Sequence, residues 1–481
     1  MNTALPDGLR APLNPPPLMR TWTGRQPADA VARRAATLPG VVALPVRSID
    51  PELPVPIWAS DPTWGPTDVD VVRRQVRESL ARTDWSRISP GSTVDLLANP
   101  HGFFLCGEAY VAMLEETQRH LQAQRTCTVR LRIAESMGHI ENPDWMSIFD
   151  LVQRFGDAKE CPQIGRGVEI ETRVGPFWLT RDLFTGDHFV HTHVAEMREG
   201  YLHRMIDRLH KPFGMGYTRL ETRSAYHFGF GPRTGQLVAR AVFESDFVQS
   251  RYAGTVVLDT TSEGIIGVES GVDLDALNDV ITPHVLRHYG TFMRLLAEID
   301  DVVVVFDGHG CHMYSYGGGV AFDSLMYGQV DFLDLDNLAL LKGFATRLPD
   351  TPGLTLEFNP AIKAQVMNYM AGGVPYTMMT RRLPTYLVDG PAADWLVADP
   401  CSPWLGERAE RVADLETAVR IACERAGTEN VAIFDSTPGA LHVSEPLGRL
   451  LLQRAPEVRA HVADIALPRW LAQRQRRTRG A

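Results

Sequence analysis

Thr93-Val-Asp-Leu-Leu97, the stretch from Glu108 to Ala123, and Thr126-Cys-Thr-Val-Arg-Leu-Arg-Ile-Ala134 decide the fold. The first is a short apolar run suited to a strand. The second carries apolar residues at helical spacing, and the third returns to strand character. Moving outward, Trp145 to Phe155 predicts another helix and Val168 to Thr172 another strand. Strands alternating with helices build βαβ units, whose strands lie parallel and whose ligands sit at the strands' carboxyl ends. A second unit begins near Thr282. A helix from Pro283 to Glu298 leads into Asp301-Val-Val-Val-Val-Phe306, a β-branched run long enough for a fully buried strand, and then into a Gly-, His- and Tyr-rich loop from Asp307 to Gly319. Leu354 to Leu356, Val431 to Phe434 and a helix near Leu447 to Leu452 continue the pattern, with no internal repeat. The expectation is an α/β fold of two domains with mainly parallel sheets flanked by helices and an active-site crevice between them. The boundaries read as an N-terminal arm over 1–40, a first domain over 41–275, a second over 280–470 and a basic tail over 471–481, with the linker near 271–284.

Composition narrows the function classes. An apolar share of 44% and a charged share of 22% are those of a globular chain. A formal net charge of −10 argues against nucleic acid as the main partner. The cluster Arg474, Arg476, Arg477 and Arg479 reads as a solvated end. Met1 to Pro17 lacks the apolar core of a signal peptide, and no stretch of about 18 apolar residues appears. Six scattered cysteines without a CxxC pair fit a reducing compartment. The expectation is a soluble cytoplasmic protein acting on a small molecule, with no membrane partner; a partner enzyme and a homo-oligomer both stay open.

The histidines carry the chemistry. His188-Phe-Val-His191-Thr-His193 holds three of the chain's fifteen, and His203, His210 and His227 follow. Gly138-His139 comes just after the strand ending at Ala134, so His139 belongs near that strand's carboxyl end. Imidazoles gathered in one crevice suit metal ligation or proton transfer near neutral pH. No HExxH or other spacing fixes a metal site. For a single histidine after a strand, a hydrogen-bonded loop residue is the plainer explanation, and for a lysine before proline, a solvated side chain.

In order, these motifs resemble the nickel-pincer lactate racemase family. Glu135-Ser-Met-Gly138-His139 is similar to its Gly-His motif, and Asp187 to His193 to the segment carrying its second histidine. Lys211-Pro-Phe-Gly214-Met-Gly216 through Ala225-Tyr226-His227 resembles its Lys-to-His segment, with a matching interval of 16 positions (227 − 211). Leu237 to Thr261, Asp301 to Gly319, and Ile433-Phe-Asp435-Ser-Thr-Pro with Val443-Ser444-Glu445 extend the likeness over roughly residues 90–450. The resemblance implies a racemase or epimerase of a small hydroxylated acid that uses a nickel-pincer nucleotide. By that resemblance Lys211 is the tether, with Gly214 and Gly216 beside the flat cofactor, and His227 is the nickel ligand. His139 and His191 (or His193) form the acid–base pair, while His101, Asp307, His309 and Tyr316 lie near the substrate. One departure stands out. Where the racemases carry a carboxylate-binding arginine, this chain has Asn99-Pro100-His101-Gly102, and imidazole is a poorer clamp than guanidinium. The stretch between His193 and Lys211 is also longer than the family's.

Two other readings compete. A cofactor-free relative could use the same histidines for proton abstraction that drives elimination or an aziridine-type ring closure in secondary metabolism, alongside a partner enzyme. A non-catalytic protein could bind a small ligand between its domains; the density of titratable residues speaks against it.

Overall fold

The protein is seen in a computed structural model that describes residues 5–15, 31–135, 144–195, 207–226, 231–309, 333–336, 359–371, 379–398 and 403–479. The fold is α/β, with two mixed, mostly parallel seven-stranded sheets flanked by helices. In chain order the strands begin with β1 (Val41–Pro45), β2 (Trp58–Ala59), β3 (Thr93–Ala98) and β4 (Thr128–Ala134). Next come β5 (Ala158–Cys161), β6 (Gly167–Thr172), β7 (Gly175–Thr180), β8 (His188–Ala195), β9 (Tyr252–Thr261) and β10 (Gly264–Gly271). The remaining strands are β11 (Val302–His309), β12 (Ile362–Ala371), β13 (Thr385–Val388), β14 (Glu410–Val412), β15 (Val431–Phe434) and β16 (Ala440–Ser444).

One sheet runs β2-β10-β9-β8-β3-β4-β5, parallel from β9 to β5, with β10 and β2 antiparallel at one edge. The other runs β1-β16-β15-β11-β12-β13-β14, parallel from β15 to β14, with β16 and β1 antiparallel at its edge. Each sheet starts its parallel part in the middle, builds outward, then returns to the other side of the starting strand. The reversals lie between β3 and β8 and between β11 and β15, the places where doubly wound sheets bind ligands. No helix among the described residues is long and apolar enough to cross a membrane.

Local chemistry explains where the observed elements depart from expectation. Thr126 adopts φ 51 and caps the helix Glu108–Arg125, so the strand after it begins at Thr128. The helix expected over Trp145 to Phe155 breaks into Trp145–Ile148 and Leu151–Phe155 because Asp150 takes φ 48. β6 pairs with β7 in a separate antiparallel hairpin. The Leu354 to Leu356 strand lies outside the described residues.

The domain limits also shift. One compact unit holds Pro54–Leu286; the other gathers the described residues up to Leu53 and those from Arg287 onward. β1, placed by the sequence reading in the first domain, pairs along β16 in the second sheet, with every residue buried. The expected linker near 271–284 is mostly helix, part of Leu274–Ala297, whose Leu274, Leu277, Ile281 and Val285 are buried at helical spacing. The arm is not loose throughout: Arg10 bridges to Ala43, and Ala35 and Ala36 are buried. In the tail, Arg474 is buried and Gln473 accepts from the Leu335 amide, while Arg476 is exposed as expected of a solvated end.

Candidate active site

Alternation along β8 sorts its side chains onto two faces. Val190 and Val194 enter the apolar core with Val72 and Val76 of the helix Val69–Arg82 and Val111 and Leu114 of the helix Glu108–Arg125. His191 and His193 share the opposite face. Both are fully buried, and their rings lie 5.5 Å apart. The 3-10 turn Arg208–Phe213 packs against this face, with the Phe213 ring 5.5 Å from His191. Phe213 in turn meets Tyr217 and Phe243, which closes an aromatic layer around the imidazoles.

His191 is oriented by a 2.6 Å hydrogen bond between Nδ1 and the Tyr217 hydroxyl. Burial, reinforced by His193 and His210, holds its basicity well below that of an ordinary imidazole. Burial likewise pushes the Tyr217 phenol well up. Both groups are therefore neutral at physiological pH. Nε2 of His191 is buried and has no hydrogen-bond partner among the described residues. The Leu209 carbonyl lies close enough to favour a charged ring, yet without hydrogen-bond geometry. One ring nitrogen is thus fixed and the other uncommitted, the arrangement that general acid–base catalysis requires.

Lys211 is 1% exposed, against the expectation of a solvated side chain. It shares its turn with Arg208 and His210, which are buried as well. Gly214, which the resemblance sets beside the cofactor, packs tightly against protein. A Cβ there would lie 2.7 Å from the Tyr226 ring, so the glycine serves that packing. At Gly216 a Cβ would meet only ordinary contacts, with Ala134 and Glu135.

His101 is buried in the turn after β3. Asn99 caps the following short helix by accepting from the His101 amide, and Pro100 occupies its first turn. The Asn99 amide donates to Tyr110, Tyr110 hydrogen-bonds to Thr192, and Thr192 donates to the Leu97 carbonyl. This chain ties the ends of β3 and β8 together. Gly102 is obligatory here, because a Cβ would come within 2.4 Å of the Tyr110 ring.

Asp307, expected near a substrate, is fully buried and taken up by the protein. It accepts from Arg34, the Ala35 amide and Asn368. Burial pushes it up to about 6 while Arg34 works the other way, so it remains ionised at neutral pH. His139, His227 and Tyr316 lie outside the described residues, as does the His309 side chain, although its backbone ends β11. The structure therefore brings together His191, His193 and the Lys211 turn. It adds Tyr217 and Arg208, which sequence reasoning missed.

Asp207, His210 and Asp275 present ligand atoms within 4.8 Å of one another. Their donor set does not suit a metal. Arg240 takes both carboxylates, at 3.0 and 2.6 Å. Asn278 accepts from the Leu209 amide with its oxygen, so its amide nitrogen faces Nδ1 of His210 and the ring's proton sits on Nε2. No protein-family model matches the chain, and no curated protein matches it significantly.

Proposed function

We propose that the chain is an isomerase of the racemase or epimerase type, acting on a small hydroxylated organic acid, with its acid–base centre on β8. The observation that carries this reading is the pair His191 and His193: two buried imidazoles on one strand face, of which His191 is held neutral by burial, is oriented by Tyr217 and keeps Nε2 without a partner among the described residues. In this reading His191 takes the substrate hydroxyl proton at Nε2 while Tyr217 holds the opposite nitrogen, and His193 serves the return step. The aromatic layer keeps water from the reacting groups. In this reading Lys211, buried in the turn Arg208–Phe213, would hold a tethered nickel-pincer nucleotide, with His227 as the expected metal ligand. Such a group, when bound, supplies a hydride acceptor.

Gly214 favours a second reading, because its close neighbour is Tyr226 rather than open space for a cofactor. Cofactor-free proton abstraction, leading to elimination or ring closure, would use the same imidazoles. A 2-hydroxy acid deuterated at C2 separates the two. Hydride transfer keeps the label in the isomerised product, and deprotonation at carbon exchanges it with solvent. Intact mass and nickel content should agree: an adduct on Lys211 that Lys211→Arg removes supports the first reading, and an unmodified active chain the second.

A further inference from the structure

We infer that Arg208 anchors an oxyanion, a carboxylate or phosphate group carried by the ligand of the β8 layer. The inference rests on that layer being a ligand site. Arg208 is 1% exposed, and among the described residues none of its three guanidinium nitrogens has a hydrogen-bond partner. Guanidinium cannot shed its proton in a protein, so burial cannot be relieved by neutralisation. A buried charge left without a counter-ion is strongly unfavourable.

The surroundings sharpen the point. The adjacent carboxylate, Asp207, reaches Arg240 at 3.0 Å, and Asp275 reaches the same guanidinium at 2.6 Å. The imidazoles of the layer are no counter-ions either, because an imidazole is neutral or cationic, and burial holds His191 and His210 neutral. Arg132 of β4, also well buried, shows the ordinary solution: it pairs with Asp157 at 2.8 Å. Arg208 alone among these keeps its whole fork of donors open. That planar fork matches two oxygens of a carboxylate or phosphate in a way that a point charge does not. It also supplies what the Asn99 to Gly102 turn lacks, a guanidinium to hold the acid group of a substrate, but from the turn over β8 instead of from the end of β3.

The test is anion binding by the full chain, followed by calorimetry and thermal melting at constant ionic strength. The probes are lactate and inorganic phosphate, with chloride as the control. A saturable response to lactate alone assigns the anchor to a substrate carboxylate, and one to phosphate alone assigns it to a phosphorylated ligand. In either case Arg208→Lys should weaken binding about tenfold or more, because the paired donors are lost. Arg208→Met should abolish it and raise the melting midpoint of the ligand-free protein, since an uncompensated charge is gone. The inference is overturned if neither probe binds better than chloride, or if binding survives in Arg208→Met. The readouts need no turnover, so they are separable from the acid–base reading. Anion binding that depends on Arg208 in a chain whose turnover ignores His191 would sink that reading and leave this one standing.

Discussion

Both sheets reverse direction once, and both bury ionisable groups near the reversal, but they complete them differently. Between β11 and β15 the described charges are met. Asp307 is surrounded by Arg34, Ala35 and Asn368. Asp435 accepts from His442 at 2.6 Å and from Thr437, and the far nitrogen of His442 accepts from the Leu13 amide. Burial works against the Asp435 charge, yet the His442 hydrogen bond holds its carboxyl below the usual range. Around β8, by contrast, Nε2 of His191 and the whole Arg208 guanidinium are buried without partners among the described residues. A saturated polar network fixes the chain and has nothing left to offer a ligand. An unsaturated one is unfavourable until something completes it, which is why such groups mark function better than burial alone does.

Three measurements can break or sharpen this contrast. The largest effect belongs to the unsaturated side: His191→Gln should lower turnover about 10²–10⁴-fold while circular dichroism stays unchanged. Full turnover in that variant would mean the open nitrogen has no chemical role. On the saturated side, Asp435→Ala should cost about 3–5 kcal/mol in urea unfolding, because it strands a buried imidazole, and should leave turnover per folded molecule intact. A small stability loss with a large catalytic one would reverse the two assignments. The smallest effect is on pH dependence. Burial holds His210 at about 4, against an ordinary 6.5. The unfolded chain therefore binds its proton first, so this contribution is complete above pH 6.5 and is lost as pH falls towards 4. Replacing His210 with Asn should flatten that acid limb by about 3 kcal/mol, read from urea midpoints across the range. An unchanged slope would place the imidazole in water instead of in the aromatic layer.

Much of the fold was legible because periodicity is local. β3, the helix Glu108–Arg125 and β15 came out within a few residues of expectation. β8 was harder to read as a strand, since His188-Phe-Val-His-Thr-His alternates imidazoles with apolar residues and both of its faces are buried. The shared face of His191 and His193 could have been found from that period of two. The partners of β1 could not, because an antiparallel edge contact with β16 leaves no mark near Val41. Arg208 was invisible for a related reason. Arginine in a charged stretch reads as solvated, and only the packing of its turn against β8 puts it inside. Asp307 shows the converse: a carboxylate at a strand's end reads as available, and only the fold reveals its ion pair with Arg34.

The pairing of Val41 with Ser444 has a consequence for how the chain is made. The stretch Pro54–Leu286 is contiguous and carries a complete sheet, so it can fold while the ribosome is still adding residues. β1 emerges earlier and must wait, its edge towards β16 unpaired, until the last of the described strands has been synthesised. Contacts this distant along the chain close slowly. Refolding from denaturant should therefore run in two phases, and the slow one belongs to the sheet whose charges are already satisfied.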